Sequence, residues 1–299
     1  MATVTEAPTS ATTKDRSGSK RKSFDWGQVR TYVGVAIIVV WGLAPAYWML
    51  VTSFRPVGYT FETTLWPTHF TLDNYKTAFD TSLGNHFARA LGNSILIGVV
   101  VTIVAMAAGV FCAYALARLE FRGKYLLLGV ILGASMFPPV ALVSPLFQLF
   151  TNIHWIGKYQ ALIIPDISFA LPLTIYILVA FFREMPWDLE ESARIDGCTQ
   201  SQAFRLVILP LAAPAMFTTA ILVFLASWNE YLLSSVLSNG VTSVAPSTVA
   251  IVNFTAGPHI VPYTQTMAAG LVVTIPLIIV VLLFQRRIVS GLTAGGVKG

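Results

Sequence analysis

Apolar residues gather along the chain into six long stretches, near 33–54, 90–117, 125–150, 159–182, 214–236 and 263–285. Each holds roughly the 20 residues that cross 30 Å of hydrocarbon at 1.5 Å per residue. The pattern predicts an all-α membrane protein with six transmembrane helices. Residues 1–31 depart from it, as a Thr/Ser/Lys-rich segment with six basic and three acidic side chains. Such a segment buries too little apolar surface to fold, so a disordered tail is expected there. In the first stretch, Ala44-Pro45-Ala46 looks like a small-residue cleavage site, but Tyr47-Trp48-Met49-Leu50-Val51 continues the apolar run. That run is too long for the core of a signal peptide, and the stretch reads as a retained anchor.

Composition agrees and narrows the choice. Of 299 residues, 55% are apolar and 11% charged, with a mean hydropathy of +0.70. A soluble domain carries about 25% charged residues, which excludes a water-soluble enzyme, a disordered hub or a fibrous protein. The pI of 9.3 would suit a nucleic-acid binder. However, the 19 Lys and Arg are scattered between apolar blocks, and no nucleic-acid partner is expected. With the N-terminus inside, fifteen of them fall in the tail and in segments 118–124, 183–213 and 286–299. Only Arg55, Lys76 and Lys158 lie in outer loops, with Arg89 at a helix boundary. By the positive-inside rule both termini are cytoplasmic.

Catalytic and metal signatures are missing from the sequence. His69, His86, His154 and His259 all fall in expected outer loops, and no HExxH, GxSxG or P-loop pattern occurs. Cys112 and Cys198 form no CxxC or Cys/His cluster, so no metal site and no structural disulfide are expected. Within the spans Asp166 and Glu230 stand out, because carboxylates at membrane depth mark a functional site by default. Each is expected about seven residues, or about 10 Å, from the outer end of its helix, where both can line one cavity with Trp228 and Asn229. The alternative is that each bonds backbone groups at a kink or a subunit seam. Prolines are dense in the spans, and Pro138-Pro139 in mid-span suits a translocation pathway better than a static anchor.

The long inner segment 183–213 is acidic, with Glu184, Asp188, Glu190, Glu191 and Asp196. It reads as an elbow of two short helices. Asp188 with Glu191 forms a capping-box pattern for the first, and Gly197 suits its left-handed end. Thr199 with Gln202 repeats the box, and Pro210 is expected to end the second helix. A rigid acidic elbow on this side suits docking of a soluble partner.

Glu191-Ser192-Ala193-Arg194-Ile195-Asp196-Gly197, nine further residues, then Val207-Ile208-Leu209-Pro210 resembles the signature of binding-protein-dependent ABC importer permeases. Ser192 stands for the family's second Ala and Val207 for its Ile, both small changes in volume. Met136-Phe137-Pro138-Pro139, Trp228-Asn229-Glu230 and the closing Gly291-Leu292-Thr293-Ala294-Gly295-Gly296-Val297-Lys298-Gly299 look like the maltose-permease-like sugar branch. Phe181 to Glu190 and Phe284 to Val289 are similar to permeases of mycobacterial trehalose importers. The resemblance covers about residues 30–299.

The resemblance implies a type I importer permease fold, in which 89–286 is a core of five helices carrying the elbow. Residues 32–88 are the first helix and its outer loop, and 287–299 form a cytoplasmic tail. It makes the elbow, with Asp188, Glu190, Glu191, Ala193, Arg194, Asp196 and Gly197, the coupling element that sits in a cleft of the ATPase. Glu191 would face a basic group there. The tail, with Gly291, Gly295, Gly296 and Lys298, would enter the ATPase dimer seam. Asn253, Phe254, Gly257, Pro258 and His259 match, by place in the chain, a loop that reaches into the sugar-binding protein.

The implied partners are a second, homologous permease subunit and two copies of an ATPase that binds ATP and Mg. An extracytoplasmic sugar-binding lipoprotein and a disaccharide, trehalose first, complete the list, and the chain itself needs no cofactor. The location implied is the bacterial plasma membrane. Another sugar or glycerol phosphate is the alternative cargo. A secondary transporter would be expected to show an inverted repeat, and none is visible.

Overall fold

Helix α3 (Phe87–Arg118) carries small residues at every fourth position, Ala105, Gly109, Ala113 and Ala117. This spacing makes one narrow face along which another helix can approach closely. Helix α6 (Tyr159–Glu184) lies on that face. A Cβ added at Gly109 would come within 2.5 Å of Thr174 Cγ2, so only glycine fits there. On the neighbouring side α3 meets α9 (Leu209–Trp228), where Gly98 lies under the Phe224 ring. These three helices pack on one another and carry the core of residues 47–294. Near the elbow their core is Val110, Tyr114, Leu178, Phe182, Phe204 and Ile208. Toward the opposite, far end it is Ile97, Val101, Phe150, Leu162 and Leu237.

The structure is a computed structural model that describes residues 26–82, 84–254 and 263–294, with 285–294 described by their backbone alone. The described residues are helical and contain no strand. The remaining elements are α1 (Trp26–Ser53), α2 (Asp73–Phe79), α4 (Lys124–Ser135), α5 (Pro139–Asn152), α7 (Asp188–Ile195), α8 (Gln200–Ala203), α10 (Leu232–Leu237), α11 (Ser247–Val252) and α12 (Tyr263–Ala294). The chain divides into two units, one ending at Ala46 within α1 and the other starting at Tyr47.

Among the described residues five helices are long and apolar enough to cross a membrane, and the expected third span differs from the rest. Instead of one rod over 125–150, α4 and α5 meet at 88° across Met136-Phe137-Pro138. Two consecutive prolines remove two i→i−4 donors from the helical ladder, and Pro138 disfavours helical backbone at Phe137. The single prolines Pro45, Pro145, Pro165, Pro172, Pro214 and Pro276 stay inside continuous helices.

The fifth span also departs from 214–236. Its helix runs without interruption from Gln200 to Trp228 and then breaks. Pro210 therefore does not end the second elbow helix. One turn of π-helix, Phe204–Ile208, precedes it, and Pro210 falls in the first turn of α9. The π-turn, in which the Leu209 amide donates to the Phe204 carbonyl, already departs from the regular ladder that a proline would break. At the other end of the chain α12 continues to Ala294, eight residues into the segment expected as a tail. Helix α1 starts at Trp26, inside the expected disordered tail, whose residues 1–25 lie outside the described residues.

Buried polar groups tie the far end together. Asn93 of α3 donates to the carbonyls of Ser243 (3.1 Å) and Ala245 (2.9 Å) and accepts from the Tyr159 hydroxyl at 2.8 Å. Ser94 and Ser247 share a hydrogen bond of 2.8 Å, which sets α11 against α3.

Candidate functional site

The elbow is built from local signals. Helix α7 ends in a left-handed Gly197 (φ 94°). The Cys198 amide donates to the Ala193 carbonyl (3.0 Å) and the Gly197 amide to that of Arg194 (3.1 Å). This is a Schellman closure, and a side chain at position 197 would strain it. The second box forms as expected. The Gln202 amide donates to Thr199 Oγ1 (3.3 Å) and the Thr199 amide to Gln202 Oε1 (2.8 Å). The first box does not form, because Trp187 takes the N-cap position, Asp188 begins the helix, and no side chain caps it. Asp188, Glu190 and Glu191 all sit in the first turn instead, where carboxylates complement the helix dipole.

Helical periodicity then separates two neighbouring carboxylates. Glu191 is exposed, as are Asp188, Arg194, Asp196 and Gly197, with Ile195 at 85% exposure on the tip. Glu190 and Ala193 turn inward and are 6% exposed. Glu190 accepts a hydrogen bond from the Tyr114 hydroxyl, and its other oxygen lies 4.0 Å from Arg118 Nε. Arg118 in turn donates to the Met185 carbonyl (2.8 Å) and lies 4.4 Å over the Trp187 ring. Glu190 is thus a latch between the elbow and the end of α3, and its charge is not offered to a partner. Tyr114, Arg118 and Trp187 were missed by sequence reasoning. Arg118 counted only as a loop cation, and nothing in the linear pattern pairs it with Glu190.

At the far end, Asp166, Asn229 and Glu230 meet on one cleft of about 470 Å³. Pro139 at the bend, Phe169, Ser227 and Tyr231 also line it. Asp166 stands seven residues into α6 and accepts from Ser227 Oγ at 2.7 Å. Glu230 does not lie within a span as expected. It follows the end of α9, where its carboxylate accepts the Leu233 (2.7 Å) and Ser234 (2.9 Å) amides that start α10. Those orphan amides explain why the chain turns at Asn229-Glu230. Trp228 is absent from the cleft wall. It is 2% exposed and packs on Phe224 at 5.5 Å, with Phe87, Ala269 and Val273 in the same cluster.

Residues 105–293 match the family described as binding-protein-dependent transport system inner membrane component. The chain belongs to this family. It is 46% identical over 284 residues to the trehalose transport system permease protein SugB of Mycobacterium tuberculosis, covering 94% of this chain and 100% of that one. The trehalose/maltose transport system permease protein MalG of Thermococcus litoralis is 39% identical over 269 residues, covering 89% of this chain and 95% of that one. In fold, the chain is similar to a bacterial ABC transporter involved in import of the acidic polysaccharide alginate. The TM-score is 0.74 at 21% identity, over 88% of this chain and 98% of that one.

The protein is therefore a multi-pass, non-catalytic ABC sugar permease subunit. Among the described residues of the permease no group of three His, Cys, Asp or Glu gathers to hold a metal. In the loop expected to reach a binding protein, Phe254 instead packs into the core, 6% exposed and edge-on to Phe87 at 6.4 Å. Asn253 ends α11 beside a small pocket that Asn85 and His86 also line. Gly257, Pro258 and His259 lie outside the described residues, as do Gly295, Gly296 and Lys298, while Gly291 lies within α12.

Proposed function

We propose that the permease is one of two pseudo-symmetric membrane subunits of an importer for trehalose, with its elbow docked on a cytoplasmic ATPase. The observation that carries the coupling reading is the continuous helix Gln200–Trp228. Its 29 residues span about 43 Å. The elbow's Thr199 box stands at one end, and Ser227, Asn229 and Glu230 of the cleft stand at the other. A displacement of the elbow is then a displacement of one cleft wall. Glu190 ties the same elbow to α3, so two of the three central helices receive the motion.

Both termini and the elbow face the cytoplasm, following the distribution of Lys and Arg. Two ATPase subunits bind ATP and Mg, a second permease completes the pathway, and an extracytoplasmic sugar-binding lipoprotein delivers the cargo. The exposed face of the elbow, with Asp188, Glu191, Asp196 and one guanidinium, suits a basic cleft on the ATPase. ATP shifts the equilibrium only if the elbow docks differently in the two states. Trehalose is supported by the names of the two sequence relatives. The cleft is also largely apolar with a few hydrogen-bonding groups, as a neutral sugar requires.

Uptake of labelled trehalose, in cells with and without this chain, tests the reading. Loss of uptake on deletion, restored by the gene and competed by unlabelled trehalose, is expected. Unchanged trehalose uptake would move the substrate to another sugar. Competition by maltose at equal strength would widen it to both disaccharides.

A further inference from the structure

The loop between α1 and α2 carries a row of exposed apolar side chains: Phe61 (80%), Leu65 (72%), Trp66 (73%) and Phe70 (63%). A loop surrounded by water rarely presents so contiguous an apolar surface, and a large patch of this kind marks an interaction face. Where the loop sits says what covers it. The Tyr47 hydroxyl donates to the Leu65 carbonyl at 2.5 Å. Tyr47 lies six residues before Ser53, the end of α1, which is about 9 Å down the helix axis. The segment therefore folds back beside its own transmembrane helix.

The 28 residues of α1 exceed the roughly 20 that span the hydrocarbon. A centred helix thus places Tyr47 about 11 Å from the bilayer midplane, just inside the hydrocarbon edge at about 15 Å, with Leu65 hydrogen-bonded beside it. Phe61 marks the same level at a second span, packing edge-on against Tyr263, the first residue of α12, at 5.6 Å.

The loop is stiff enough to hold this position. Arg55 is 0% exposed and lies 5.0 Å over the Trp48 ring. Its guanidinium donates to the carbonyls of Glu62 (2.5 Å) and Thr64. Phe70 stacks on Phe54 at 4.8 Å, and the Thr71 amide donates to the Phe54 carbonyl at 2.8 Å. Asn74 binds the carbonyls of Ser53 (2.7 Å) and Arg55 (2.8 Å) and accepts from Thr264 Oγ1 at 3.0 Å. The charges are few and internally used. Between residues 55 and 72 the only acid is Glu62, which accepts from Thr68 at 2.8 Å, and there is no lysine. An aromatic-rich segment poor in charge, fixed at this depth, has the chemistry of an interfacial belt.

We infer that residues 61–70 are an interfacial anchor, with Leu65 and Trp66 inserted into the leaflet at the far end of the bundle and the ring of Phe61 beside them. The partner is the lipid surface itself. The anchor would fix the tilt of α1 and the level of α12 while the central helices move.

Spin labels at Trp66→Cys, Leu65→Cys and, as a water-exposed control, Lys76→Cys test this. The background carries Cys112→Ser and Cys198→Ser, and the assembled complex is placed in phosphatidylcholine/phosphatidylglycerol nanodiscs. Collision with oxygen, relative to a water-soluble nickel chelate, is expected to be several-fold higher at 65 and 66 than at 76. It should not change on adding the sugar-binding protein. Equal aqueous accessibility at all three positions would overturn the anchor. Protection that appears only with the binding protein would assign the patch to that protein, and low collision with both probes would assign it to a subunit seam. If the cysteine variants do not assemble, tryptophan quenching by lipids brominated on the acyl chains is compared between wild type and Trp66→Phe. Less quenching in the variant supports insertion, and identical quenching rejects it.

Discussion

At the elbow, two consecutive glutamates have opposite surroundings. Glu191 is open to solvent, while Glu190 is enclosed by Tyr114 and Arg118. At the cleft, Asp166 and Glu230 come from segments 64 positions apart in the chain, yet both line one cavity and both accept hydrogen bonds from the protein. In the first region the division of labour follows from a rotation of about 100° per helical residue. In the second it follows from where α6 and the α9–α10 turn are packed. Carboxylates of the same chemistry are thus separated by local geometry in one place and joined by tertiary geometry in the other.

The sharpest way to break the comparison is to open the latch. Glu190→Ala leaves Arg118 buried beside an empty site, and loss of one member of a buried pair costs about 3–5 kcal/mol. The purified complex should melt well below the wild type and uptake should vanish. Glu190→Gln, which can still accept from Tyr114, should be milder. An unshifted melting transition in Glu190→Ala would remove the latch from the account.

The neighbouring substitution should separate stability from coupling. Glu191→Lys changes an exposed side chain, so membrane level and melting should match the wild type. Trehalose uptake and the ATP turnover stimulated by loaded binding protein should both collapse, and less ATPase should co-purify. Full uptake with full ATPase binding would leave Glu191 as an ordinary first-turn acid.

Smaller effects are expected at the cleft. Glu230→Ala removes the acceptor for two amides of α10, and loss of a helix cap costs about 0.5–2 kcal/mol. Glu230→Gln keeps one acceptor and should assemble normally. A raised KM for uptake in that variant would place Glu230 on the sugar path. An unchanged KM would limit it to capping. Asp166→Asn, which keeps an acceptor for Ser227, should raise KM in the same way.

The mildest change distinguishes packing from stacking. Trp228→Phe fills most of the same core space, and uptake should keep its KM. Tyr231→Ala, on the cleft wall itself, should raise it. The reverse result would return the indole to the pathway.

The long spans, the left-handed Gly197 and the Thr199 capping box were legible because each depends on residues within a turn or two of one another. The 88° bend falls at Pro138-Pro139, but the sequence does not separate a kink from a break, because it cannot say whether the freed carbonyls find other donors. Pro210 reads as a stop in the sequence because proline disrupts helix interiors. A single π-turn before it lets the helix continue, and nothing local announces that turn. Arg55 and Arg118 read as loop cations in the sequence, although both are buried and donate to backbone carbonyls.

What the sequence alone determined is therefore what periodicity and local hydrogen bonding control: the helices, the elbow's shape, and a signature at fixed spacing over some twenty residues. Only the tertiary structure decided which face of α7 looks inward, that Trp228 and Phe254 belong to the core, and that Asp166 and Glu230 share a cleft. Those outcomes depend on contacts between segments far apart in the chain. Burial and hydrogen-bond satisfaction are properties of the packed bundle, and they cannot be read from any single stretch of it.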